Sequence, residues 1–251
     1  MSVSYDFTDR RYLVTGASAG IGRGICLDLA KAGAQVFALA RHQEALDQLV
    51  QESAQYKYKI IAIIGDAGSS QEVLESLISP ILPLDGLINN AGIARNAPIG
   101  EIKQWQIDDV YAVNVRAPII LSQLVAVDWI ARKFPGVIVN MSSQSGMRPH
   151  EDHIVYCSSK AALEMVTRTM ALDLGIHNIR VNSVNPTVVW TDMAKASWTD
   201  QNKIDQMLGR MAIKRFAEIQ EVANATLYLL SDASSLTTGM PLTVDGGFTK
   251  V

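Results

Sequence analysis

The sequence predicts an α/β protein built on a doubly wound parallel sheet with helices on both faces. Three observations carry this. Short apolar, β-branched runs alternate with longer amphipathic segments along the whole 251 residues. The short runs are apolar throughout rather than at every second position, as strands covered on both faces are. No linker, repeat or low-complexity stretch interrupts the alternation, so residues 1–251 read as a single domain. A content of 48% hydrophobic and 19% charged residues is enough for one sizeable core.

The elements follow in order. Residues 12–15 read as the first strand, and residues 21–32 as a helix that Gly33 ends. Residues 35–40 form the second strand, followed by a polar helix from Gln43. Residues 59–64 form the third strand, 70–78 a short helix and 86–89 the fourth strand. A long helix then runs through Asn114 towards Phe134, and 137–141 is the fifth strand. The next helix carries Tyr156 and Lys160 and runs to Gly175, before the sixth strand at 179–184. The stretch of about 190–216, with Trp190, Met193, Trp198, Met207 and Met211, reads as a lid of short helices with methionine as filler. Residues 218–230 form the last helix and 242–244 the final strand.

Composition removes several function classes. A net charge of −3 gives no basic footprint for nucleic acid. The first eleven residues lack an apolar signal core. The greasiest region, 117–131, is interrupted by Ser122, Gln123 and Asp128 and is too short to span a bilayer. Two cysteines, Cys26 and Cys157, suggest no disulfide framework and point to a reducing, cytoplasmic setting. The four histidines lack partner cysteines or an HExxH arrangement, so no metal site is expected.

The segment Thr15-Gly16-Ala17-Ser18-Ala19-Gly20-Ile21-Gly22 follows the first strand and opens the first helix, the context a dinucleotide fingerprint requires. Gly16 allows the tight turn, Gly20 lets backbone approach a pyrophosphate, and Gly22 lets the helix pack near the sheet, with the positive helix end facing the phosphates. An ordinary glycine-rich βα turn is the plain alternative. The second strand ends in Ala40-Arg41-His42. An acidic residue there would hold ribose hydroxyls and repel a 2′-phosphate, whereas Arg41 can pair with one, so NADP(H) is favoured over NAD(H).

Tyr156 and Lys160 are four apart on a helix and share a face. An ammonium there favours phenolate over phenol, which makes an acid/base centre suited to an alcohol or carbonyl. Tyr-x-x-x-Lys alone is common on solvated helix faces. The reading gains weight only from Asn114 and Ser143 upstream.

With Asn89-Asn90-Ala91-Gly92, Asn185-Pro186 and Asp245-Gly246-Gly247 added, the chain resembles the short-chain dehydrogenases/reductases over its full length. That resemblance implies a Rossmann fold with a seven-stranded sheet, often assembled as a homotetramer, here through the helices of residues 107–134 and 156–175. It implies catalytic roles for Asn114, Ser143, Tyr156 and Lys160. Tyr156 would protonate the oxygen of a carbonyl reduced by hydride transfer, Ser143 would hydrogen-bond that oxygen, Lys160 would lower the tyrosine pKa and hold the nicotinamide ribose, and Asn114 would anchor a water. Cofactor contacts would come from Gly16, Ser18, Gly20, Ile21, Gly22, Arg41, Asp66, Asn89, Ala91, Gly92, Tyr156, Lys160, Pro186, Val188 and Thr191. Within the family, the chain is similar to the branch of dicarbonyl and L-xylulose reductases, through 181–189, 155–160 and Gly247-Phe248. In that branch Ser143, Gln144, His153, Tyr156 and Trp198 match substrate-pocket positions, for a small carbonyl or sugar. Two departures stand out: Ala19 replaces a basic residue that would add a contact to the 2′-phosphate, and His150 replaces an aliphatic one. A steroid or retinoid dehydrogenase of the same family, or a non-catalytic NADP-binding scaffold, are the competing readings.

Overall fold

The computed structural model describes residues 4–191, 194–195 and 198–251. Met193 of the expected lid, and the first three residues of the chain's start, lie outside the described residues. Seven strands, β1 (Arg11–Thr15), β2 (Gln35–Ala40), β3 (Ile61–Ile64), β4 (Gly86–Asn89), β5 (Val137–Met141), β6 (Arg180–Pro186) and β7 (Pro241–Val244), form one sheet in the order β3-β2-β1-β4-β5-β6-β7. Every pairing is parallel.

The eight helices used below are α1 (Gly20–Lys31), α2 (Gln43–Glu52), α3 (Gln71–Ile78), α4 (Gln104–Tyr111), α5 (Ala117–Arg132), α6 (Ile154–Gly175), α7 (Gln201–Gly209) and α8 (Ile219–Leu230). Side-chain alternation along each strand sorts them onto two faces. Tyr12, Val14, Val36, Ala38, Ile88 and Val139 pack with Ile25, Leu29, Leu46, Leu49, Val222 and Leu229, which puts α1, α2 and α8 on one side. Leu13, Phe37, Leu39, Leu87, Ile138 and Val181 pack with Leu74, Ile78, Leu121, Val125, Trp129 and Ala171, which puts α3, α5 and α6 on the other. A smaller cluster under the lid joins Met207, Met211, Phe216 and Phe248.

The helix expected through Asn114 is not uniform. α4 and α5 are joined by a π-helical turn, Ala112–Arg116, that contains Asn114. The continuous helix, Gln104–Arg132, is 29 residues long, so by length and composition alone it could cross a bilayer, contrary to the reading that this region is too short. Half of its most apolar window is buried inside the protein. Ala117, Leu121, Val125 and Trp129 are the stripe that meets the sheet, and the Trp129 indole N–H donates to the Leu84 carbonyl at 2.7 Å. Core packing therefore accounts for the apolarity.

Strand order reverses between β1 and β4, and in such sheets ligands sit in the crevice beyond the strand carboxyl ends at that point. The site residues lie there.

Candidate active site

The glycine turn is packed against the end of β4. Gly16 has φ +65°, and a Cβ on it would stand 2.8 Å from the Ala91 Cα. A Cβ on Gly22 would meet the Gly16 carbonyl oxygen and the Asn90 amide, each at 2.4 Å. Asn90 clasps the turn: its Nδ2 donates to the carbonyls of Thr15 at 2.9 Å and Gly16 at 3.2 Å. The Thr15 hydroxyl accepts from the backbone N–H groups of Asn90 and Ala91. Sequence reasoning singled out the neighbours Asn89, Ala91 and Gly92 but missed this role of Asn90, although a second amide beside Asn89 was its signal. Asn89 turns the other way, donating to Asn140 Oδ1 at 2.9 Å and Ser122 Oγ at 3.1 Å. It braces β4 to β5 and α5.

No residue but glycine fits these positions without displacing backbone, and α1 starts immediately after with its free N–H groups and positive end directed at the crevice. Such an arrangement can cradle a pyrophosphate. Ser18 and Ile21 lie in the same turn, both half-buried. Gly20, at φ +53°, faces Thr191, whose Cγ2 would be 3.3 Å from an added Cβ, so the turn meets the start of the lid. Val188 accepts through its carbonyl from Ala217 N–H at 3.0 Å, and Pro186 ends β6. Arg41 stands just past β2, about half exposed, 3.5 Å from Asp66. The Asp66 carboxylate also accepts from Gly68 N–H at 2.8 Å, so both side chains line the adenosine end expected of the crevice.

The residues expected to handle protons gather beyond β5. Ser143 follows that strand, and its hydroxyl accepts from Ser145 N–H at 3.1 Å, which sets the following short turn. Tyr156 lies in the first turn of α6 and Lys160 one turn later. The Lys160 Nζ donates to the Met141 carbonyl at 2.8 Å and lies 5.7 Å from the Tyr156 ring centroid. Asn114, from the π turn, donates to the Ile93 carbonyl at 2.9 Å and to Ser159 Oγ at 3.0 Å, and accepts from Ile93 N–H at 2.9 Å. A Cβ on Gly92 would come within 3.3 Å of Nζ and 3.6 Å of Asn114 Oδ1, so the two groups share one small space beside that glycine.

The electrostatics differ from the expectation that Lys160 makes Tyr156 acidic. Burial pushes the phenol above its ordinary value of 10.0, and a hydrogen bond with Ser143 pulls it back only in part. Lys160 is itself pushed down to about 8 by burial, against a raising influence from Glu164. The reason is geometric: Nζ faces a backbone carbonyl, and both side chains are desolvated. A phenol held protonated near neutral pH is a proton donor, which is the form that reduction of a carbonyl needs.

The substrate residues are less closely gathered. Gln144 is buried, at 2% exposure, with its Oε1 unpartnered among the described residues. Trp198 packs edge-on to Phe216, centroids 5.2 Å apart, in the lid cluster. His153 makes a contact from Nδ1 to the Glu151 carbonyl, and its ring is 5.8 Å from that of His150. His150, which stands where the similar branch has an aliphatic residue, stacks on Phe248 and lines a cleft with Ala97, Pro149 and Cys157 beside the tyrosine helix.

Comparison with known proteins agrees with this geometry. The family model described as enoyl-(acyl carrier protein) reductase matches residues 16–249. The chain belongs to the short-chain dehydrogenase/reductase family. It is 59% identical to an L-xylulose reductase of Caenorhabditis elegans over 250 residues, covering 100% of both chains. It is 48% identical to the L-xylulose reductase of Homo sapiens, covering 95% of this chain and 96% of that one. Among solved structures it is similar, with a TM-score of 0.92 and 29% identity over 99% of this chain and 100% of the other, to an NAD(P)-dependent gluconate 5-dehydrogenase from Beutenbergia cavernae with bound NADP at low occupancy.

Proposed function

We propose that the protein is an NADPH-dependent carbonyl reductase that reduces L-xylulose and small α-dicarbonyls, with Tyr156 as general acid. The observation that carries this is the meeting of Ser143, Tyr156 and Lys160 beyond β5, in the same crevice as a glycine turn pressed against the end of β4 at the start of α1. The relatives named for L-xylulose and the neighbour with bound NADP support the substrate class and the cofactor. NADPH, when bound, supplies the two-electron reducing equivalent to the carbonyl carbon.

The chain's own residues do the rest. Backbone N–H groups at Gly16, Ser18, Gly20, Ile21 and Gly22 cradle the pyrophosphate. Arg41 pairs with a 2′-phosphate and Asp66 accepts from the adenine amino group. Ala91 and Gly92 wall the ribose, with Asn89 contributing only its backbone because its side chain is turned into the sheet, and Pro186, Val188 and Thr191 hold the nicotinamide end. Tyr156 delivers its phenolic proton to the carbonyl oxygen as negative charge develops there, while Ser143 donates a hydrogen bond to the same atom. Lys160, in reach of the ribose hydroxyls, keeps positive charge beside the phenolate that results. Asn114 anchors the route by which a proton returns. Gln144, His153 and Trp198 shape the polar end of the pocket, and residues 190–216 close over it. The chain acts as one domain, in the cytoplasm, and associates as a homotetramer through the face of α4, α5 and α6 that leaves Trp105, Val127, Met165 and Leu172 exposed.

Tyr156→Phe tests the assignment. It keeps the ring and removes the proton, so reduction of L-xylulose or diacetyl, followed by NADPH absorbance, should fall 10²–10⁴-fold with NADPH binding retained. A near wild-type rate would end the assignment.

A further inference from the structure

One buried titratable side chain near the site has no part in the chemistry above. Glu164 lies one turn beyond Lys160 on α6, so Tyr156, Lys160 and Glu164 recur every four residues along one stripe of the helix. It is only 3% exposed, and both carboxylate oxygens are engaged from β6: Oε1 accepts from Asn185 Nδ2 at 2.7 Å, and Oε2 from the Ser183 hydroxyl at 3.0 Å. The second N–H of the Asn185 amide donates to the Ser143 carbonyl at 3.2 Å. A continuous chain therefore runs from the carboxylate through one amide to the backbone of the serine beside the reacting oxygen.

A buried carboxylate held only by neutral donors is costly unless a cation lies nearby. The groups packed around this point are few. From α6 itself come Tyr156 and Lys160, with Cys157 beside the phenol rather than the ammonium. β5 brings the Met141 carbonyl, the residues just after it bring the Ser142 hydroxyl and the Ser143 carbonyl, and β6 brings Ser183 and Asn185. The π turn brings Asn114, and the segment after β4 brings Gly92. Among these described residues, Lys160 is the sole cation and Glu164 the sole carboxylate.

We propose that Glu164 is a positioning residue of the active site: it is the buried counter-charge of Lys160, and through Asn185 it fixes the backbone of Ser143. Two desolvated charges one helical turn apart neutralise one another without touching, which leaves Nζ free for Met141 and for a ribose. The raising influence of Glu164 on Lys160 agrees with this role. The inference rests on the catalytic reading of the site, because it gives Glu164 its meaning through Lys160.

The test is the pH profile of kcat/KM for Glu164→Gln, which removes the charge and keeps the shape. The limb on which activity is lost as pH rises should move down by about one pH unit. Glu164→Asp, which restores the charge, should return the limb to within about 0.3 unit of the wild type. A limb that stays in place in Glu164→Gln, even with a lower Tm or kcat, would reduce Glu164 to packing and overturn the proposal. Should Glu164→Gln not fold, the wild-type protein decides. The assigned carboxyl ¹³C resonance of Glu164 should show a step where Lys160 loses its proton, and a flat signal there overturns the proposal equally. That resonance needs no turnover, so it fails or succeeds independently of the Tyr156→Phe assay.

Discussion

Gly16→Ala is the most direct probe of the cofactor cradle, because two separable costs meet at that residue. The first is conformational. Gly16 has φ +65°, and an L-residue held in the left-handed region costs about 1–2 kcal/mol. The second is steric. The new methyl would stand 2.8 Å from Ala91 Cα and 3.0 Å from both Ala91 N and Asn90 Nδ2, so backbone of the β4 end must move, at about 1–3 kcal/mol. The sum is about 2–5 kcal/mol, or roughly 4–20 °C in Tm for a chain of this size. Gly100 supplies the control: it also has positive φ, +96°, but an added Cβ meets nothing within 4 Å. Gly100→Ala should therefore cost only the conformational part. Thermal unfolding of both variants separates the two costs, and NADPH titration followed by fluorescence reads the cradle. Gly16→Ala should weaken NADPH by tenfold or more, while Gly100→Ala leaves it unchanged. Equal Tm losses in the two variants, or undisturbed NADPH affinity in Gly16→Ala, would refute the close approach of the turn to β4 as the basis of binding.

Arg41→Asp should weaken NADPH by about 10–100-fold and leave NADH nearly unaffected, because it exchanges a phosphate partner for a repelling charge beside Asp66; the ratio of kcat/KM values for the two cofactors checks this. For Lys160 the sign of the pH dependence differs between activity and stability. Its folded value of about 8 lies below the ordinary 10.5, so the unfolded chain holds the extra proton between those values, and the Lys160 contribution to stability rises with pH across that window. Activity depends on the ammonium and should fall as pH rises through about 8. Measuring Tm and kcat/KM over the same pH series checks both limbs.

Most of the fold was legible because it depends on apolar pattern. Residues 35–40, 86–89 and 137–141 are strands in the structure with the boundaries their composition suggests, since each is buried on both faces and bounded by a turn residue. The errors fall where local pattern and tertiary demand part. β6 continues past Val184 through Asn185 and Pro186, polar and helix-breaking residues whose partners, Glu164 and β7, are remote in sequence. The π turn at 112–116 leaves no mark in periodicity, because one extra residue in a helix is specified by what Asn114 reaches across to. Asn114, Ser143, Tyr156 and Lys160 were legible as a set that the fold gathers in one place, and the glycine turn was legible as the junction of β1 and α1. The direction of the Tyr156 shift was not, because it depends on how much water the fold removes around the ring, a quantity no spacing encodes.

What holds Tyr156 in place is a set of directional bonds rather than apolar contact alone. Three successive turns of α6 are pinned to the strands beneath: Lys160 to the Met141 carbonyl, Glu164 to Ser183 and Asn185, and Thr167 to Asn140 at 2.9 Å. Asn140 in turn receives Asn89, so the line crosses from α6 through β5 to β4, whose end clasps the glycine turn. Apolar faces tolerate a small slide or rotation of a helix, since one methyl replaces another at little cost. Buried hydrogen bonds do not, because each unpaired group costs about 1–3 kcal/mol. A one-residue slip of α6 would break all three anchors at once, at about 3–9 kcal/mol, comparable to the whole stability of a domain. Polar residues inside these strands thus set the register between the phenol and the cofactor cradle, which is why a proton donor on a helix and a ligand turn on the far side of two strands keep a fixed separation.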